Sequence, residues 1–312
     1  MINPVPPQAS FFEKSKTKIT NATYMMVTSL KLLAANPVAI VFPIISATII
    51  SLLTYIWMNK MYSKYGVHIF DKGLKHIFSG QLSPNEKEAL AYVAILSLLF
   101  LVFVVGFIGK IVRTVVYTGL SHYIGKILEN EKSSLIQSFL TGFSRIFAAT
   151  FWAIISTIIK IVVSNLQNKK NKGIITALLA NILGDFIKVG WHMLTFFLVP
   201  VLAFESLGLF DSIKKSAQLM QKTFGESAVA MVGFSTISGI IKSTTFICIS
   251  IIFGLLALNA YVGIAIGIIV TIFVSAVVKT TKVIFKTASY NLATGKRTGP
   301  FKVNDLKNSF SK

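Results

Sequence analysis

Between Ser243 and Val278 the chain runs for 36 residues without one charged side chain. As a single helix this run would extend about 54 Å, against a hydrocarbon core of ~30 Å. It therefore predicts two membrane crossings joined by a turn. Asn259-Ala-Tyr-Val-Gly263 supplies the residues that tolerate turn geometry. Val38 to Met58 and Ala89 to Gly109 are further uncharged runs of 21 residues each, and each matches one crossing. Charged residues make up only 13% of the chain and hydrophobic ones 54%. That charged share is about half that of a typical soluble domain, so there is too little polar material to cover a core in water. The fold class that follows is all-α: a polytopic transmembrane helix bundle with amphipathic interfacial helices.

The middle of the chain adds two crossings. Ile146 to Leu166 carries no charge apart from Lys160, and Asn168 to Gly173 reads as a turn. Ile174 to Phe204 follows, interrupted by Asp185 and Lys188. With the first leg of the long run reaching back through Lys242, the expectation is about six spans. The N-terminal segment covers residues 1–37, the membrane domain 38–279, and a basic tail 280–312. Ser83, Pro84 and Glu86 form an N-cap, a proline at the first helical position and a capping-box glutamate.

Two segments outside the spans have helical apolar faces. One carries Ile19, Thr23, Met26, Leu30 and Leu33. The other carries Phe210, Ile213, Ala217, Met220 and Phe224, with lysines opposite. Such helices either lie in the headgroup layer or pack on the bundle.

The net charge is +20. Its lysines and arginines sit between long apolar runs rather than on one polar domain, which points to anionic lipid headgroups and away from nucleic acid. If the N-terminus is cytoplasmic, 20 basic residues fall on the cytoplasmic side and 8 on the other. This excess predicts that both termini are inside. The second connection carries Lys110, Arg113, Lys126, Lys132 and Arg145 in that count.

Ionisable groups within spans are costly, so each is a functional candidate. Asn181, Asp185, Lys188 and His192 follow at spacings of four, three and four, on one helical face. With Lys242 they form a candidate polar path, or else Asp185 and Lys188 pair where the helix protrudes. Lys160 either snorkels or bridges the bundle. His68 and His76 flank Asp71 in what reads as a loop, but no third histidine completes a metal site. Cys248 is the one cysteine, which excludes an intrachain disulfide. No P-loop, HExxH, CxxC or nucleophile-elbow motif is present, so no catalytic residue and no cofactor are expected.

The most distinctive local stretch is Phe196 to Glu226. Pro200 should open the hydrogen bonding of its span. Glu205 follows at the exit, Gly208 is expected to end the helix, and Asp211 opens the next one near its positive end. Glu205 is placed to pair with Lys214 or Lys215. The order Pro200-Val201-Leu202, Glu205, Gly208, Ile213-Lys214-Lys215-Ser216 and Gly225-Glu226, with the ending Tyr290-Asn-Leu-Ala-Thr-Gly295, resembles an uncharacterised family of prokaryotic integral membrane proteins. It is similar, more distantly, to the membrane domain beside some glycerophosphodiester phosphodiesterases. The resemblance implies an inner-membrane bundle without an assigned substrate or catalytic residue.

The leading functional expectation is a non-enzymatic membrane protein that organises lipid or a membrane partner through its basic face. The alternative is a transporter or channel for a small solute, anionic ones included. A cavity around Asp185, Lys188 and His192 would favour the second. Self-association is left open.

Overall fold

The computed structural model describes residues 11–79, 88, 92, 95–100, 102–167, 183–185, 187–188, 190–224, 243–249, 251–253 and 260–301. These residues are helical with short connections, and no strand occurs among them. Among the described residues three helices are long and apolar enough to cross a membrane: Pro37–Trp57, Ile146–Gln167 and Leu183–Phe204. The other expected crossings fall partly outside the described residues.

In chain order the helices of the described residues begin with α1 (Phe11–Ala35), α2 (Val41–Ser79), α3 (Gly109–Leu128), α4 (Leu135–Phe143) and α5 (Ile146–Gln167). There follow α6 (Leu183–Phe204), α7 (Leu209–Phe224), α8 (Ser243–Phe253) and α9 (Ala260–Ala293). Helix α2 runs for 39 residues, about 58 Å. His68, Asp71 and His76 thus lie on a helix, not in a loop. Its apolar first half has no breaker at its end, so the helix continues past the crossing. Helix α9 already includes Ala260 to Gly263, so those four residues of the expected turn are helical, and Asn259 lies outside the described residues.

Helix α3 is the axle of the bundle. It touches α2, α4, α5, α9 and the end of α6. The sequence reading ended the second crossing at Gly109. Instead a π-helical segment, Val102–Ile108, leads without a break into α3. Lys110 and Arg113 are therefore inside the bundle and not in a connection. Small residues make this packing close, as they do in membrane bundles generally. A Cβ added at Gly142 of α4 would stand 2.3 Å from the Val115 carbonyl oxygen, and one at Gly119 2.6 Å from that of Ser138. The core between α3 and α9 is polar at one point, where the Ser121 and Thr287 hydroxyls meet at 2.8 Å.

Helices α3 and α9 end in the same way. In α3, Asn130 takes a φ of 61°. The Glu131 amide reaches back to Lys126 O and the Asn130 amide to Ile127 O. In α9, Gly295 takes a φ of 74°, with the Lys296 amide on Asn291 O and the Gly295 amide on Leu292 O. Both are Schellman ends, which need a left-handed residue and so favour Asn and Gly. The two ends are tied by the Lys296–Glu129 ion pair at 3.1 Å. Beyond it, Asn291 donates to Arg297 O and Phe301 is buried, so residues 294–301 form a strap across the end of α3.

Both amphipathic helices pack on the bundle, each turned by about one residue from the expected face. Helix α1 lies on α9 and buries Met25, Thr28, Ser29, Leu32 and Leu33, while Thr23 is exposed. Helix α7 buries Leu209, Ser212, Ser216, Leu219 and Met220, and leaves Phe210 74% exposed. Small hydroxyl residues allow closer approach than the large apolar ones do, and close packing, not hydrophobicity alone, sets the angle. Helix α4, unmarked in the sequence reading, continues into α5 past a kink at Ser144-Arg145. An apolar stripe of Ile136, Leu140, Phe143, Phe147 and Phe151 faces outward across that kink, as expected of a surface solvated by lipid.

A candidate anion cavity and the helix corner beneath it

The break in α6 falls at residues 195–197, one turn before Pro200. Pro200 has no amide proton to give the carbonyl of residue 196, and its ring crowds that turn. The Phe197 amide freed there donates to Ser216 Oγ on α7 at 3.0 Å. The motif thus bends the span and docks the next helix in one step.

The second leg of α6, Leu198–Phe204, ends at Glu205, which is extended at φ −113° and ψ 133°. The helix therefore stops four residues earlier than Gly208, which was expected to end it. Gly208 instead starts α7, its carbonyl accepting the Ser212 amide. Asp211 stands in the first turn as expected. Glu205 accepts the Tyr290 hydroxyl at 3.0 Å and lies 3.9 Å from Lys215. Lys214 is not the partner; it is exposed on the outer face. From the kink between α4 and α5, the Arg145 guanidinium donates to Leu202 O at 3.1 Å and Glu205 O at 3.0 Å. It thereby satisfies carbonyls that a helix end leaves open. Nearby, a hydrogen bond from Lys126 and its charge hold the exposed Glu131 carboxyl below the usual carboxylate range. These contacts account for the corner residues structurally.

The other end of α6 carries the chemistry. A cavity of about 570 Å³ lies between the first leg of α6, α5 and the start of α3. Lys188 and His192 line it. Lys110 and Lys160 line it too. Asp185 is at its rim: one carboxylate oxygen accepts from Lys188 Nζ and from Gln167 Nε2, each at 3.2 Å. Lys188 also donates to Gln167 Oε1 at 2.9 Å, closing a ring of three side chains. Asn181 and Lys242 lie outside the described residues.

Lys110 decides the character of the cavity. Its ammonium donates to the Thr157 hydroxyl at 3.0 Å. Thr157 is the twelfth of the 22 residues of α5, so the charge is held halfway along a helix long enough to cross. Snorkelling would carry it toward a helix end. Lys160 is one turn further on, within electrostatic reach of Lys110. Among the described residues no carboxylate lines the cavity or pairs with either lysine. The wall is completed by Ser156, Ser164 and Thr195, and by Trp152 and Trp191, whose rings stack at 5.3 Å and 10°.

The sequence reading missed Lys110 by assigning it to a connection, and missed Trp152. A signal was present: Trp152, Ser156, Lys160, Ser164 and Gln167 recur every three or four residues along α5, a polar stripe on an otherwise apolar helix. No group of three or more His, Cys, Asp or Glu side chains that could hold a metal occurs among the described residues.

A family model matches residues 86–301. The chain belongs to DUF6159, a family of unknown function. The matched region runs from before α3 to the strap, so it holds the whole cavity and the whole corner. No curated protein and no solved structure matches the chain. The expected kinship with the membrane domain of glycerophosphodiester phosphodiesterases finds no support among these matches.

Proposed function

We propose that this DUF6159 protein is a non-enzymatic, multi-pass membrane protein that takes a small anion into the cavity between α3, α5 and α6 and passes it across the bilayer. The supporting observation is the Lys110–Lys160 pair. A lysine at the centre of a spanning helix costs about 2.5–3.5 kcal/mol on insertion scales. Two side by side repel as well. A bound anion would offset both terms, and no protein carboxylate among the described residues does so. A purely structural pair would have been matched by an acid, as Lys188 is by Asp185.

The orientation goes with this reading. Removing Lys110 and Arg113 from the charge count leaves the basic excess on the side of the corner and the strap. That side is then cytoplasmic, the membrane is a bacterial inner membrane, and the Asp185 rim faces outward. The basic face also attracts anionic headgroups, so lipid organisation is the second reading, favoured by the outward apolar stripe of α4 and α5.

The test is charge translocation by the full chain in proteoliposomes, recorded on a solid-supported membrane with chloride, inorganic phosphate, lactate and glutamate. A current with at least one anion, abolished in Lys110→Gln and Lys160→Gln, is expected. Currents absent for all four, with altered lipid order around the wild-type protein, would move the assignment to the second reading.

A further inference from the structure

We infer that the cavity selects a phosphate monoester, a dianion carrying an organic group, rather than a monovalent anion. The inference deepens the proposed function and rests on it. Two ammonium groups with no carboxylate partner among the described residues face one space, so a single negative charge would leave one of them uncompensated. A phosphate monoester carries about −1.5 to −2 charges at neutral pH and three strong acceptor oxygens. Those oxygens match the wall: ammonium donors at Lys110 and Lys160, and hydroxyls at Ser156 and Ser164. Lysine also suits phosphate as a point charge where no bidentate fork is needed.

Size points to the organic group. A cavity of about 570 Å³ falls in the range that holds drug-sized ligands, roughly 300–1,000 Å³. A bare phosphate would leave most of it empty. Beside the polar Gln167, Lys188, His192 and Thr195, the wall carries Ile159 and Val163 and the stacked indoles of Trp152 and Trp191, which present an aromatic platform. Such a platform suits an aromatic ring or an acyl chain. The phosphate monoester could belong to a lipid headgroup or to a water-soluble molecule. The recognition chemistry is the same, and the experiment separates the two.

The full chain is placed in nanodiscs of phosphatidylcholine, and binding is read from tryptophan fluorescence and from the thermal unfolding midpoint. Phenyl phosphate is compared with benzenesulfonate, a monoanion of similar shape. Discs containing phosphatidic acid are compared with discs containing phosphatidylglycerol, a phosphodiester monoanion. Phenyl phosphate, phosphatidic acid or both should bind about tenfold or more tightly than the matched monoanion. Lys160→Gln should remove about that factor, the size of one charge-assisted hydrogen bond. Binding should weaken as pH falls through about 6, where the second phosphate proton returns. A response confined to phosphatidic acid assigns a lipid ligand, and one confined to phenyl phosphate a soluble ligand. Equal binding of monoanion and dianion would overturn the inference while leaving the anion cavity in place. Binding indifferent to both Lys110→Gln and Lys160→Gln, in variants that elute and melt like the wild type, would overturn the cavity reading as well.

Discussion

Single atoms decide much of this bundle. At Gly142 a methyl group would meet a backbone carbonyl, which cannot swing aside. At Gly190 nothing stands within 4 Å. Gly142→Ala should therefore cost about 1–3 kcal/mol through overpacking, and Gly190→Ala should be neutral or gain up to about 1 kcal/mol of helix propensity. Melting of the two variants in one detergent checks the contrast. Asp185 acts in the opposite sense. Its carboxylate occupies Lys188 at the rim, and at 68% side-chain exposure it gains little from doing so. An exposed pair is worth about 0–1 kcal/mol, so Asp185→Asn should leave stability unchanged. Anion affinity should rise by up to about fivefold, because Lys188 becomes available. Titration of the variant beside the wild type checks this, and weaker binding would mean that Asp185 shapes the site. That Lys188 and His192 share a helical face was legible from their spacing. Lys110 was not, because charge at the end of an apolar run reads as a boundary unless the partner helix is known.

At the scale of elements, Pro200 and Arg145 do complementary jobs. The proline opens α6 at residues 195–197, and the arginine closes the open carbonyls at its far end from the kink between α4 and α5. Arg145→Met keeps the length of the side chain and removes those donors. It should cost about 1.5–3 kcal/mol, the range for hydrogen bonds to charged groups. The melting midpoint should fall, and trypsin or hydrogen exchange should find the α6–α7 corner first. The existence of the corner was legible in the sequence, since a proline, an acid and a glycine punctuate it. Its exact stop was not. Glu205 ends the helix because Arg145, 60 residues away in the chain, draws its carbonyl outward. The faces of α1 and α7 were missed for a related reason. Their buried serines and threonines carry no hydrophobic signal, yet they permit close approach of α1 to α9 and of α7 to the end of α6.

For the molecule as a whole, the all-helical character followed from uncharged run lengths, and that part of the reading needed no tertiary information. Where the runs start and stop did need it. Helix α2 outlasts its apolar half, and α3 carries charge into the bundle. Sidedness is the property to measure. Single cysteines at Ser63, Asn171 and Ser309, in a Cys248→Ala background, should label from outside at the first two positions and only from inside at the third. Labelling of Ser309 from outside would reverse the basic excess and with it the direction assigned to the Asp185 rim.

The strap over the end of α3 has a consequence for how the protein is made. Helix α3 is synthesised early, and its neighbours come from both halves of the chain. Glu129 waits for Lys296, and Leu128 waits for Gly299, which lies so close that a Cβ there would stand 2.8 Å from it. The axle of the bundle is therefore capped by almost the last residues of the described chain to leave the ribosome. Until then that end of α3 is not latched, and a ribosome that stalls before the strap leaves in the membrane a bundle joined by the Lys110–Thr157 and Arg145–Glu205 contacts but open at that end of its axle.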